Sequence, residues 1–193
     1  METEARETPA VAARLVANTT ETLEQLGARL RLLAPRYALA AGRGSSDAAA
    51  LLAKYLFETR LGLPTVSAAP SIRSIYGRQL NLEKALVLAI SQSGRSPDLV
   101  EFCRSAVGPD VLRVGLINDA ASPLAEIVDV CVPLEAGPET SVAATKSCLA
   151  AMVLVLGLTG HWSGDSDLIA AFERSPQVLS DALQQDWSRF AFF

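Results

Sequence analysis

Residues 85–99 read Ala-Leu-Val-Leu-Ala-Ile-Ser-Gln-Ser-Gly-Arg-Ser-Pro-Asp-Leu, and this stretch decides the fold. Ala85–Ile90 is continuously apolar, the pattern of a strand buried on both faces of a sheet. Ser96-Pro97 then opens a helix, because serine suits the N-cap and proline the first helical position. Between them lies Ser91-Gln92-Ser93-Gly94-Arg95-Ser96, a loop of glycine and hydroxyls running into a helix N-terminus. A buried strand, a tight loop and a helix in succession form the unit of a parallel α/β sheet.

The same unit recurs outward from this point. Upstream, Tyr37–Ala41 predicts a strand, Gly42-Arg43-Gly44-Ser45-Ser46-Asp47 a second loop of the same kind, and residues from about Asp47 to Arg60 a helix. Thr65–Ala68 is a weaker strand and Ser71–Tyr76 a short helix. Downstream, a helix over Pro97–Val107 leads to strands at Val111–Ile117 and Val128–Pro133, with a helical turn at Pro123–Glu126 between them. A long apolar helix is expected over Ser141–Leu158, and Ser175-Pro176 signals the start of a last one. At the other end, Val11, Leu15, Leu23, Leu26, Leu30 and Leu33 recur at helical spacing, so residues 10–33 predict an amphipathic helix that Pro35 ends. The result is a three-layer αβα sandwich around a five-stranded parallel sheet of order 2-1-3-4-5, the flavodoxin-like arrangement. It divides into an N-terminal helical segment (1–34), the α/β domain (35–162) and a C-terminal helical segment (163–193).

Composition narrows the function. Half of the 193 residues are apolar and a fifth charged, with a net charge of −4, which is ordinary globular composition. No basic stripe interleaved with aromatics is present, so nucleic acid is not an expected partner. The longest apolar run, Cys148–Leu158, falls far short of the ~20 residues that span a bilayer. The polar, acidic opening METEARETPA does not read as a secretory leader. Cys103, Cys131 and Cys148 are far apart in apolar contexts and read as reduced, buried thiols, which places the chain in the cytoplasm. The single histidine, His161, excludes a His-rich zinc site within one chain. Any Ser-His-Asp triad would have to use it, and its place between Gly160 and Trp162 reads as a surface histidine at a helix end. No metal and no nucleotide cofactor is expected. The end, Arg189-Phe190-Ala191-Phe192-Phe193, is unusually apolar and reads as leading into further sequence or docking on a partner.

In a sheet of this order the first and third strands are neighbours whose following loops diverge to opposite faces, and the crevice there is the default ligand site. Both loops have what a phosphate needs: glycines that let backbone N–H groups approach, hydroxyl donors, and helix N-termini. Plain helix caps at Ser46 and Ser96 and turn formers at Gly42 and Gly94 are the alternative for each loop alone. GRGSSD lacks the lysine and spacing of GxxxxGKS/T. As a dinucleotide fingerprint it fails at Asp47, where the third glycine belongs, and no acid lies near Val66 for the ribose. A third segment, Ala136–Lys146, also brings small residues to the carboxyl edge, and an ordinary loop with an N-cap at Thr140 or Ser141 explains it equally well.

Together GRGSSD (42–47), LAISQSGRSPDL (88–99) and AGPETSVAATKS (136–147) resemble the SIS (sugar isomerase) family, specifically the first half of glucosamine-6-phosphate deaminases and of the isomerase part of glucosamine-6-phosphate synthase. The Glu-rich opening before Pro9 resembles the start of the same module. The resemblance implies a phosphorylated sugar, glucosamine 6-phosphate or fructose 6-phosphate, as ligand. It implies that Ser91, Gln92, Ser93 and Ser96 hold the phosphate, that Gly44, Ser45 and Ser46 complete the cradle, and that Val142, Ala144 and Glu139 lie near the sugar. SSD and AGPETSVAATKS are closer to the deaminases, which implies aldose–ketose isomerisation with release of ammonia. The position where the family commonly carries a histidine holds Ala48. The family's carboxylate base, ring-opening histidine and lysine belong to a second tandem half and have no counterpart in this chain. SIS domains generally pair, so a homodimer is implied, with the long apolar helix and the Phe-rich end as contact surfaces. The alternatives are a single-SIS module that senses a sugar phosphate without turnover, and an isomerase of another sugar phosphate.

Overall fold

The computed structural model describes residues 1–141 and 143–186; Val142 and the Phe-rich end from Arg189 to Phe193 lie outside the described residues. Two helices open the chain, α1 (Glu2–Arg6) and α2 (Thr8–Leu33), followed by β1 (Tyr37–Ala41), α3 (Ser45–Leu61), β2 (Thr65–Ser67) and α4 (Ser71–Ser74). Then come β3 (Ala85–Ser91), α5 (Pro97–Ser105), β4 (Val111–Ile117), α6 (Pro123–Ile127), β5 (Val130–Pro133), α7 (Lys146–Ser163) and α8 (Ser166–Gln184).

The five strands form one sheet in the order β2-β1-β3-β4-β5, every pair parallel. β3 is buried along its whole length, and its side chains alternate between two cores as the strand period requires. Leu86, Leu88 and Ile90 join Ala38, Leu116 and Val132 beneath residues of α2, α3, α7 and α8. Ala85, Val87 and Ala89 face the other way, against Leu99, Phe102 and Cys103 of α5 and Leu124 of α6. Helices therefore cover both faces, which is why the central strands carry no polar side. Among the described residues, no helix is long and apolar enough to cross a membrane.

α2 and α7 approach closely where α2 has glycine: a Cβ at Gly27 would sit 2.6 Å from the His161 carbonyl oxygen. One turn on, the Arg31 guanidinium donates to the carbonyls of His161 (2.5 Å) and Trp162 (3.0 Å), satisfying acceptors that a helix C-terminus leaves open.

Four expectations need correction. α7 begins at Lys146 rather than Ser141 and continues to Ser163, because its cap is set by the Glu139 carboxylate, which accepts from the Thr145 and Ser147 backbone N–H groups. His161 is consequently not a surface residue but lies inside α7, 9% exposed, with its ring edge-to-face against Phe172 and Nε2 without a hydrogen-bond partner among the described residues. Ser175-Pro176 does not start a helix. α8 starts ten residues earlier, where the Asp165 carboxylate caps the N–H groups of Asp167 and Leu168, and it passes through Pro176 because Leu168 and Phe172 pin it to the core. Of the three thiols only Cys103 is buried, the other two being half-buried, and all three are free; burial pushes the Cys103 thiol up to about 12.

Candidate functional site

β1 and β3 lie side by side in register from Tyr37↔Ala85 to Ala41↔Ala89. The chain leaves β1 into α3 on one face and β3 into α5 on the other. The cleft between those exits has a volume of about 210 Å³ and is lined by Arg43, Gly44, Ser45, Ser46, Ile90, Ser91, Gln92, Ser93, Ser96 and Ala144. Three separate loops thus meet at one point of the sheet edge.

Each serine sits there for a local reason. Ser91 is the last residue of β3, 5% exposed, and its Oγ accepts from the Gly94 N–H at 2.9 Å. That bond closes the turn, which Gly94 makes with φ of +63°. Ser93 Oγ accepts from the Arg95 N–H at 3.2 Å. In both cases the hydroxyl proton is left to donate elsewhere. Ser96 occupies the N-cap position of α5, yet its side chain makes no capping bond. α3 starts after Gly44, again without a side-chain cap. A plain capping role for Ser46 and Ser96 therefore has no support in the hydrogen bonds. Two helix N-termini border the cleft, α3 with no side-chain cap and α5 with only the Asp98 carboxylate on the Leu99 N–H, and helix N-termini favour an anion.

Eight of the ten residues expected at the site line this cleft: Gly44, Ser45, Ser46, Ser91, Gln92, Ser93, Ser96 and Ala144. Glu139 does not. Its carboxylate accepts from the N–H and Oγ1 of Thr145 (2.9 and 3.3 Å) and from the N–H and hydroxyl of Ser147. Burial alone would raise Glu139, but these donors outweigh it and hold the carboxyl below its ordinary value. Val142 lies outside the described residues.

Sequence reasoning missed Arg43 and Ile90 as lining residues, and it missed what holds the third loop. The segment between β5 and α7 is tied down from the N-terminus. Glu4, 9% exposed, accepts from the Thr140 N–H (2.7 Å) and Oγ1 (3.3 Å) and from the N–H and hydroxyl of Ser141. Glu7 pairs with the buried Lys146 ammonium at 2.5 Å, and Arg14 donates to the Glu135 carbonyl at 2.8 Å. The hydroxyl of Ser141 and the N–H of Thr140 lower the Glu4 carboxyl to about 2. A depressed carboxyl contributes stability that is fully present above its ordinary value of 4.5 and gone once pH falls below about 2. Glu4→Gln is therefore expected to melt below wild type at pH 7, with the gap closing as pH approaches 2. Thermal melts across that range check it, and a gap independent of pH would contradict the assignment.

A family model, a curated relative and two solved structures resemble the chain. A family model described as SIS domain matches residues 34–159. The glutamine–fructose-6-phosphate aminotransferase (isomerizing) of Thermus thermophilus is 34% identical over 139 residues, 72% of this chain and 22% of that protein. The crystal structure of a protein proposed to be a phosphosugar isomerase, from Silicibacter pomeroyi, superposes with a TM-score of 0.91 at 41% identity, covering 95% of this chain and 56% of that one. The C-terminal domain of the Francisella tularensis glucosamine-fructose-6-phosphate aminotransferase shares the fold, with a TM-score of 0.69 at 19% identity over 92% of this chain and 51% of that one. The chain thus spans about a fifth of the curated relative and about half of each solved chain.

Proposed function

The chain belongs to the SIS domain family, and from that premise we propose that its cleft binds the phosphate of a phosphorylated sugar. The observation that carries this reading is the convergence of two helix N-termini with the hydroxyls of Ser45, Ser46, Ser91, Ser93 and Ser96 on one small cleft. Backbone N–H groups, hydroxyl protons and helix dipoles all favour an anion there. Gln92 and Ala144 bound the same cleft, and we assign them to the sugar rather than to its phosphate.

The sugar we propose is an amino-sugar phosphate or its ketose partner, glucosamine 6-phosphate or fructose 6-phosphate, and the reaction aldose–ketose isomerisation with release of ammonia. Similarity to an isomerizing aminotransferase supports the substrate class. A C1/C2 proton shift needs a general base, and the family resemblance implies a carboxylate. Of the carboxylates near the cleft, Asp98 is in an ion pair with Arg43, Glu139 caps the α7 N-terminus, and neither these nor the exposed Asp47 is among the residues that line it. This chain therefore contributes binding, and the base comes from a second SIS half or a second copy. A homodimer in the cytoplasm, where three unpaired thiols stay reduced, completes the reading.

A thermal-shift titration tests it, with glucosamine 6-phosphate against unphosphorylated glucosamine. Ligand at 100 times Kd should add about 2.7 kcal/mol, a rise of roughly 5–10 °C for a domain of this size. A rise with the ester alone supports the cradle, and equal behaviour with both sugars refutes it. Ammonia release from the amino sugar then separates deamination from isomerisation of another sugar phosphate.

A further inference from the structure

Among the described residues, Arg43 is the only charged side chain lining the cleft, and it faces a second charge across the switch point. Its Nη2 lies 2.8 Å from Asp98 Oδ2, with the guanidinium 60% and the carboxylate 18% exposed. Asp98 belongs to the first turn of α5, so the pair joins the loop after β1 to the helix after β3. The contact is weakly built. Asp98 Oδ1 accepts the Leu99 N–H at 2.9 Å, whereas Oδ2 is enclosed and, among the described residues, has no aligned hydrogen-bond donor. Arg95, the cation of the neighbouring loop, is turned to Asp119 at 2.8 Å and does not line the cleft.

The charge balance of the cleft is incomplete without Arg43. A phosphate monoester carries about −1.5 to −2 near pH 7. Two helix N-termini supply roughly half a positive charge each, and serine hydroxyls supply neutral donors only. About one further positive charge is wanting, and a planar guanidinium matches a phosphate with two parallel N–H donors. Resting on the phosphate reading above, we infer that Arg43 is a phosphate-contacting residue that exchanges its Asp98 partner for the phosphate dianion when ligand binds. Asp98 parks the guanidinium at the mouth of the empty cleft and, being an anion itself, opposes the ligand.

This role and a purely structural one predict opposite behaviour for Asp98. If the ion pair merely staples the two loops together, removing either member loosens the cleft equally. If Arg43 contacts the phosphate, Asp98→Asn frees it and relieves a repulsion.

The experiment is calorimetric titration of wild type, Arg43→Gln, Arg43→Lys and Asp98→Asn with glucosamine 6-phosphate between pH 5 and 8. Arg43→Gln is expected to weaken binding about 10- to 100-fold, the range of a hydrogen bond to a charged group, with Arg43→Lys in between. Asp98→Asn is expected to bind as well as wild type or better. Wild-type affinity should rise as the ester loses its second proton near pH 6, and that rise should flatten in Arg43→Gln. Equal losses in Arg43→Gln and Asp98→Asn with an unchanged pH slope would overturn the inference, as would wild-type affinity in Arg43→Gln. Wild-type protein that binds no ester would instead overturn the cradle, and Arg43's role with it.

Discussion

Gly94→Ala is expected to abolish sugar-phosphate binding and to lower the melting temperature by roughly 10 °C. Two independent costs fall on this position. Its φ of +63° is a conformation that a residue with a Cβ adopts at a cost of about 1–2 kcal/mol. The added Cβ would also lie 2.5 Å from Ser122 Cβ, and closer still to its hydroxyl oxygen. Ser122 is fully buried and caps α6 through the Ala125 N–H, so it has nowhere to retreat, and overpacking of this kind costs about 1–3 kcal/mol. The chain can relieve the clash only by lifting the loop off α6. That movement breaks the Ser91 Oγ bond to the Gly94 N–H and the Leu124 N–H bond to the Gly94 carbonyl, dispersing the hydroxyls of the cleft. Gly77→Ala separates the two costs, because Gly77 has the same φ of +63° and nothing within 4 Å of an added Cβ. It should lose only the backbone share. Adding Ser122→Gly to Gly94→Ala should recover part of the binding. Thermal melts and ester titrations of the three variants decide it, and a Gly94→Ala protein that binds like wild type would remove the loop from the site.

The sheet was legible because its information is local. Tyr37–Ala41 and Val111–Ile117 occur as strands with the bounds their apolar runs predict, and the order β2-β1-β3-β4-β5 is a common doubly wound arrangement of alternating strands and helices. The serine loops were legible for the same reason: glycine and hydroxyl between a buried strand and a helix start is a pattern written within a dozen residues. What failed depends on side-chain contacts that no local pattern states, reaching from a few residues away to more than a hundred. The start of α7 is displaced by a carboxylate six and eight residues upstream of the N–H groups it accepts, and the loop before it is held by Glu4, more than a hundred residues away. Ser175-Pro176 is a sound local start signal that lost to tertiary packing, since the missing N–H of one proline costs less than exposing Phe172. Arg43 was in the quoted motif, but its meaning lies in Asp98, which only the β1–β3 pairing brings near.

Phe172→Ala should cost about 3–5 kcal/mol of stability, the range for deleting a buried phenyl ring, yet leave the ester affinity of the folded protein unchanged. The ring is fully buried and fills the notch left by Gly157, where an added Cβ would meet Phe172 Cδ2 at 2.8 Å and Leu23 Cδ1 at 2.9 Å. It therefore joins α8 to α7 and α2 at one point. α8 is poorly placed to lose that anchor, because Pro176 already removes one of its backbone donors. The hole would open beside His161, whose Nε2 has no hydrogen-bond partner among the described residues. Water entering there would find a polar neighbour, so the loss should lie nearer the lower bound than in a wholly apolar site. The cleft is insulated from all this by distance along a rigid element. Ala144 stands just before the N-terminus of α7, and at 1.5 Å per residue Gly157 lies roughly 16 Å further along the helix from Lys146. Denaturant melts should therefore move sharply while calorimetric titration below the transition does not. A parallel loss of affinity would mean that the helical layer of α2, α7 and α8 sets the geometry of the cleft as well as covering the sheet.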